Sequence, residues 1–156
     1  MRCGAVVVQI ADLVSGSNEQ AQVVLNCNVL PYLCQLLTSE NSSIRKDACF
    51  ALSNFAGGTG EQVAAVFSAN CVPPLIAILM NANERESVQN EAVWALWNLT
   101  NAGTEQHIRQ MGELGAIPAL NRMLRSTNSK ITRIALEGQF LSQRAVRVMR
   151  DAAPFR

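Results

Sequence analysis

The chain has 156 residues, 49% apolar, 16% charged and 5% aromatic, with a net charge of +1. That length can bury one sizeable core, and the apolar share excludes a disordered chain; near-neutrality gives no reason to expect a nucleic acid or an anionic membrane as partner. Apolar runs such as Cys71 to Met80 are far shorter than the roughly 20 residues that span a bilayer, and Gln9 and Asp12 interrupt the opening Val6-Val7-Val8 stretch too early for a signal peptide.

Taken in order, Ala5 to Val14 has the pattern of a helix already under way. After a Ser/Gly turn, a short helix is expected from Glu19-Gln20, then a second one led by Pro31 and a third through Ile44 to Asn54. The pattern restarts beyond Gly57-Gly58: a short helix from Glu61 to Ala69, a proline-led helix from Pro73 to Met80, a polar turn at Asn81 to Glu84, and a long helix from about Glu86 to Thr100. Proline leads these second helices because a first-turn residue has no intrahelical use for its N–H. Gly57-Gly58 and Gly103 are expected to stop the third helices as C-terminal glycines. A third cycle begins at Glu105-Gln106 and passes Pro118 toward a closing helix over 130–141. No window alternates with period two, so no strand is expected.

Three markers keep this period. Glu19-Gln20 returns as Glu61-Gln62 and Glu105-Gln106, in steps of 42 and 44. Pro31 returns as Pro73 and Pro118, in steps of 42 and 45. Leu36-Leu37 returns as Ile78-Leu79 and Met123-Leu124. A three-helix unit cannot bury its apolar face alone, so the period predicts an all-α, right-handed α-solenoid in which units stack to complete a shared core. The expected organisation is a partial repeat at 1–16, complete repeats at 17–58 and 59–103, a partial repeat at 104–141 and a divergent basic tail at 142–156 with Arg144, Arg147, Arg150 and Arg156. With no polar capping helix at either end, the chain reads as an excerpt of a longer array.

The five cysteines, Cys3, Cys27, Cys34, Cys49 and Cys71, are odd in number, lack a C-x-x-C pair and lie in apolar segments. They are expected to be buried free thiols of a reduced intracellular protein, not disulfides or zinc ligands. No Ser/His/Asp set, phosphate loop or metal-ligand spacing occurs, and His107, the single histidine, is expected at a surface turn. The chain is therefore not expected to be an enzyme or to hold a metal or cofactor.

At roughly 100° per residue, Val88, Ala92, Ala95 and Leu99 share one face of the long third helix, the expected core side. Glu91, Trp94 and Asn98 form a separate stripe. One third helix earlier the same positions hold Asp47, Phe50 and Asn54, and the opening helix supplies Ala5, Val8 and Asp12. Stacked side by side, these stripes form ladders of acid, aromatic and amide. Aromatic rings leave slots for the stem of a Lys or Arg with some cation–π attraction. Carboxylates at the slot ends take its charge, and carboxamides bond an extended peptide backbone through both donor and acceptor. The competing reading is structural: aromatics at helical spacing usually pack a core, and a mid-helix Asn or Asp is usually solvated. Trp97 falls outside the ladder, partly exposed or packed on a loop, and receives no role.

At these residues the chain resembles a known family. Ile44-Arg45-Lys46-Asp47-Ala48-Cys49-Phe50-Ala51-Leu52-Ser53-Asn54 and Asn90-Glu91-Ala92-Val93-Trp94-Ala95-Leu96-Trp97-Asn98 resemble late armadillo repeats of importin alpha, the nuclear-import adaptor, as do 12–37 and 58–79. The resemblance covers about 5–141 and implies the C-terminal part of that array, from the end of the sixth repeat into the ninth. It implies that Phe50, Asn54, Trp94 and Asn98 are minor-site ladder positions for lysine/arginine-rich nuclear localisation signals. Asp47 and Glu91 would be their acidic companions, and the turn Val14, Ser15, Gly16 would approach the peptide. Phe50 stands where the family usually has Trp, Asp12 replaces an Asn, and Val8 replaces an Arg, which weakens the first rung. The segment that binds importin beta in the full-length family is absent from this stretch. The implied setting is the cytoplasm and nucleus, with a structural scaffold or a non-functional truncated relative as the alternative.

Overall fold

The computed structural model describes residues 2–126 together with Ser129, Thr132, Arg133 and Arg147. The described residues form nine α-helices and no strand. They fall into three kinds by position in the cycle. The first helices are α2 (Asn18–Asn26), α5 (Gly60–Ser68) and α8 (Glu105–Glu113). The second are α3 (Leu30–Leu36), α6 (Val72–Met80) and α9 (Ala116–Met123), and the third are α1 (Arg2–Val14), α4 (Ser42–Ala56) and α7 (Glu86–Ala102). This is an all-α solenoid of stacked three-helix units. The expected closing helix over 130–141 and the basic tail lie outside the described residues apart from the single positions named. No one helix among the described residues is long and apolar enough to cross a membrane.

Each first helix is started by a capping box. Ser17 Oγ accepts from the Gln20 N–H while Gln20 Oε1 accepts from the Ser17 N–H, and Thr59 with Gln62 repeats the arrangement. Two orphan N–H groups are satisfied each time. In the third unit the box is Thr104 with His107, whose Nδ1 accepts from the Thr104 N–H at 3.4 Å. The Glu-Gln marker has therefore slipped by one residue against the helix it announces, and the true step from cap to cap is 45, as the prolines indicate. His107 also stacks flat on Phe67 of the preceding unit, with centroids 4.1 Å apart, so its place is structural. The left-handed turn before each second helix recurs as Asn28 (φ 55°), Asn70 (φ 57°) and Gly115 (φ 91°), residue types that tolerate that region.

The glycines that end the third helices act differently from expectation. Gly57 and Gly103 have negative φ, −89° and −71°, so no left-handed cap is formed. Space is what requires glycine: a Cβ at Gly58 would lie 1.8 Å from Gln62 Oε1, and one at Gly103 would lie 2.5 Å from the Leu99 carbonyl oxygen.

Stacking completes one continuous core. α7 packs along α4 and α4 along α1, while α3 and α6 cover their flanks. Val88, Ala92, Ala95 and Leu99 are fully buried as expected, and so are Val93 and Leu96 on the adjoining arc of α7. Small residues at Ala48, Ala51, Ala92 and Ala95 let the third helices approach closely, and Leu33, Leu52, Phe55, Leu75 and Leu96 fill the space between layers. Each such large side chain contributes on the order of 1.5–3 kcal/mol by leaving water. Polar ties hold consecutive units in register. Gln62, itself buried, donates to the Asn18 carbonyl at 2.9 Å, and Arg122 donates to the carbonyls of Leu79 and Met80 at the end of α6, where a cation suits the helix dipole. Arg45 forms a two-pronged ion pair with Glu84, Nε to Oε2 at 2.8 Å and Nη2 to Oε1 at 2.7 Å, and also donates to the carbonyls of Ser39 and Glu40.

The expectation of free buried thiols is corrected. Cys34 on α3 and Cys71 at the start of α6 are joined as a disulfide across two units, with Cα atoms 5.2 Å apart, inside the range a disulfide bridges. Cys27 is exposed, and Cys49 is a buried free thiol. Burial, with the Glu91 and Glu84 carboxylates adding to it, pushes the Cys49 thiol far up despite Arg45, so it stays protonated. The Cys3 side chain lies outside those described.

Candidate functional site

On α4 and α7 the residues singled out from the sequence come together on the partly exposed side of the third-helix layer. Asp47, Phe50, Asn54, Glu91, Trp94 and Asn98 are all half-buried, and Phe50 and Trp94 rest on the core beneath them. Each ring is thus anchored at its base and keeps part of its surface open to solvent.

The two amides are held differently. Asn98 Nδ2 donates to the Ser53 carbonyl on α4 at 2.9 Å, so this side chain bridges two units. Asn54 Nδ2 donates within its own helix to the Phe50 carbonyl at 3.0 Å. Each keeps its Oδ1 and a second N–H for another partner. Gly57 leaves the room Asn98 occupies, since a Cβ there would come within 3.2 Å of Nδ2.

Glu91 and Asp47 lie near enough to feel each other's charge. Burial lifts the Glu91 carboxyl above its ordinary range and Asp47 lifts it further, against a long hydrogen bond from Asn90 and the charge of Lys46. A cation arriving beside Glu91 would relieve this.

The first rung differs. Ala5, Val8 and Asp12 are exposed and carry no ring. In the turn that follows, Ser15 Oγ donates to the Asp12 carbonyl at 2.7 Å and Gly16 is exposed. Val14, by contrast, is 4% exposed; its side chain belongs to the core, and only its backbone could meet a ligand.

Sequence reasoning gave Trp97 no role. The structure sets it half-buried against Trp94, edge to face, with ring centroids 5.4 Å apart and planes at 87°. The i, i+3 spacing of two tryptophans was the available signal.

Residues 17–57 and 61–101, together more than half of the chain, match the family model of the armadillo/beta-catenin-like repeat. The chain belongs to the armadillo-repeat family. Within it the likeness is to importin alpha: over 122 residues it is 35% identical to importin subunit alpha-2 of Arabidopsis thaliana, covering 78% of this chain and 22% of that protein. The chain thus spans about a fifth of the length of the curated relatives it matches. Among solved structures, a designed armadillo repeat protein superposes with a TM-score of 0.80 at 30% identity, covering 94% of this chain and 57% of the design. Another designed armadillo repeat protein, in complex with the peptide (KR)4, gives 0.82 at 26% identity, covering 92% and 62%.

Proposed function

We propose that this armadillo array binds extended lysine/arginine-rich peptides along its third helices, as the minor-site stretch of a nuclear-import adaptor binds nuclear localisation signals. The observation that carries the reading is the pair of in-register sets, Asp47–Phe50–Asn54 and Glu91–Trp94–Asn98, each half-buried on one face of adjoining helices. The rings take the stems of basic side chains, the carboxylates their charges, and the free amide valences the peptide backbone. Likeness to importin alpha subunits supports the class of cargo, and the designed relative in complex with (KR)4 supports the capacity of the fold for such a peptide. In this reading the chain is a binding module, not an enzyme, and works in cytoplasm and nucleus; importin beta is a partner of the full-length family and not of this stretch.

The deciding experiment titrates a labelled lysine-rich peptide against the wild type and a double variant, Trp94→Ala with Asn98→Ala. Salt-sensitive binding that the double variant loses is expected. Equal, salt-insensitive binding by both would sink the reading and leave a structural scaffold, which the ringless first rung of Ala5, Val8 and Asp12 already favours for the N-terminal end.

A further inference from the structure

We propose that Trp97 is a positioning residue of the groove: it holds the Trp94 indole in the orientation that receives a basic side chain. The inference rests on the peptide-groove reading and deepens it at one rung.

The two third helices are matched residue for residue, Phe50 with Trp94 and Asn54 with Asn98. The position of Ser53 on α4 then falls to Trp97 on α7. Ser53 is buried and turns its hydroxyl onto its own helix, donating to the Phe50 carbonyl at 2.8 Å. Trp97 instead presents a ring to Trp94 at 5.4 Å and 87°. Positive ring edge against negative ring face is an attractive arrangement beyond the area it covers.

The flanking geometry matters as much as the contact. At 100° per residue, Trp97 and Asn98 project roughly 60° and 40° to opposite sides of Trp94. Asn98 is tied to Ser53 of the preceding unit. Trp94 therefore stands between a fixed amide and a perpendicular indole, whereas no second ring stacks on Phe50 among the described residues. A side chain already held in its binding orientation loses less freedom when the ligand arrives.

A second observation separates this from ordinary packing. The Trp97 Nε1–H is buried and has no hydrogen-bond partner among the described residues. An unpartnered buried donor is a cost, and the serine of the preceding unit avoids it. A local conflict of this kind, beside a ladder ring, is the sort expected where a side chain serves a site and not only the core.

The chain has two tryptophans, so Trp97→Ser and Trp97→Phe each leave Trp94 as the sole indole. In time-resolved fluorescence anisotropy without peptide, Trp94 should show a larger fast component in the Ser variant than in the Phe variant. In titrations with a lysine-rich peptide, Trp97→Ser should bind about two- to tenfold more weakly than wild type, the weight of one aromatic pair, with Trp97→Phe recovering most of the loss. Matching helix content by circular dichroism shows that both variants are folded, and the Phe variant carries the comparison if Ser lowers stability. Equal anisotropy and wild-type affinity in both variants would overturn the inference while leaving the groove intact. A wild-type protein that binds no basic peptide would overturn the groove reading and this inference with it.

Discussion

Asn98 Nδ2 reaches across from α7 to the main-chain carbonyl of Ser53 on α4, at 2.9 Å. The side chain thereby ties consecutive units, and in the proposed groove its remaining valences are the ones that would meet the peptide. Asn54, its counterpart, donates within its own helix to the Phe50 carbonyl and, among the described residues, makes no inter-unit bond. Stability should distinguish them. Asn98→Ala is expected to cost about 1 kcal/mol in urea unfolding, the net worth of one such bond. Asn54→Ala should cost less, because alanine's helix propensity offsets what is lost. Peptide affinity should fall in both. Equal midpoints for the two variants would argue against the inter-unit bond in solution.

Arg45 and Glu84 join the start of α4 to the turn before α7, and Glu84 also accepts from the Arg85 N–H at 2.8 Å. Burial opposes the Glu84 charge, yet the hydrogen bonds from Arg45 and the Arg85 backbone and the charges of both arginines outweigh it, so its carboxyl sits below the ordinary range. A depressed carboxyl contributes stability that is present above the unfolded value and lost as pH falls through the folded one. Glu84→Gln should therefore cost roughly 1.5–3 kcal/mol near neutral pH. The gap between variant and wild type should narrow on acidification below about pH 4.3 and close as pH falls through the lowered Glu84 value. Chemical denaturation at several pH values checks both statements.

The cycle of helices was legible because it is written in local chemistry. Cap residues, first-turn prolines and loop glycines act over a few residues, so helix positions follow from sequence to within two or three. The slip of the third Glu-Gln marker shows the limit: His107 can accept the capping hydrogen bond as a glutamine does, so residue identity hid the register. The ladder was legible because helical spacing alone sets which side chains share a stripe. What escaped was long-range. Val14 lies in the core because the neighbouring helix covers it. The partner of Cys34 lies 37 residues away and one unit along, a distance that no cysteine count reveals.

That bridge yields its own test. Cys34–Cys71 closes a long loop in the unfolded chain and so should stabilise the fold by about 2–4 kcal/mol. Cys34→Ser, or reduction of the wild type, should lower the unfolding midpoint by the corresponding amount. Thiol counting in denaturant should find two more thiols after reduction than before. In the native state the exposed Cys27 should label before Cys49, which burial keeps protonated. An unchanged thiol count would remove the bridge.

Glu91 gives the groove a pH dependence whose sign is fixed by its surroundings. Burial holds its carboxyl above the ordinary range, with Asp47 adding to the effect and Asn90 and Lys46 opposing it. A raised carboxyl favours the fold while protonated, and that contribution is lost as pH rises through the folded value. At neutral pH the ionised Glu91 is therefore a small burden on the free protein, and Glu91→Gln should melt slightly higher than wild type. Binding should respond in the opposite sense. A lysine or arginine beside Glu91 favours its charged form, so complex formation in mildly acidic buffer should expel a proton, visible in calorimetry across buffers of different ionisation enthalpy. Affinity for a lysine-rich peptide should weaken about two- to fivefold as pH falls through the raised Glu91 value, starting above the usual glutamate range near 4.3, where the peptide's own lysines do not titrate. The Gln variant should bind more weakly at neutral pH and lose that step. A variant that binds as tightly as wild type and with the same pH profile would take Glu91 out of the site, leaving Asp47 and the two rings to recognise the cation.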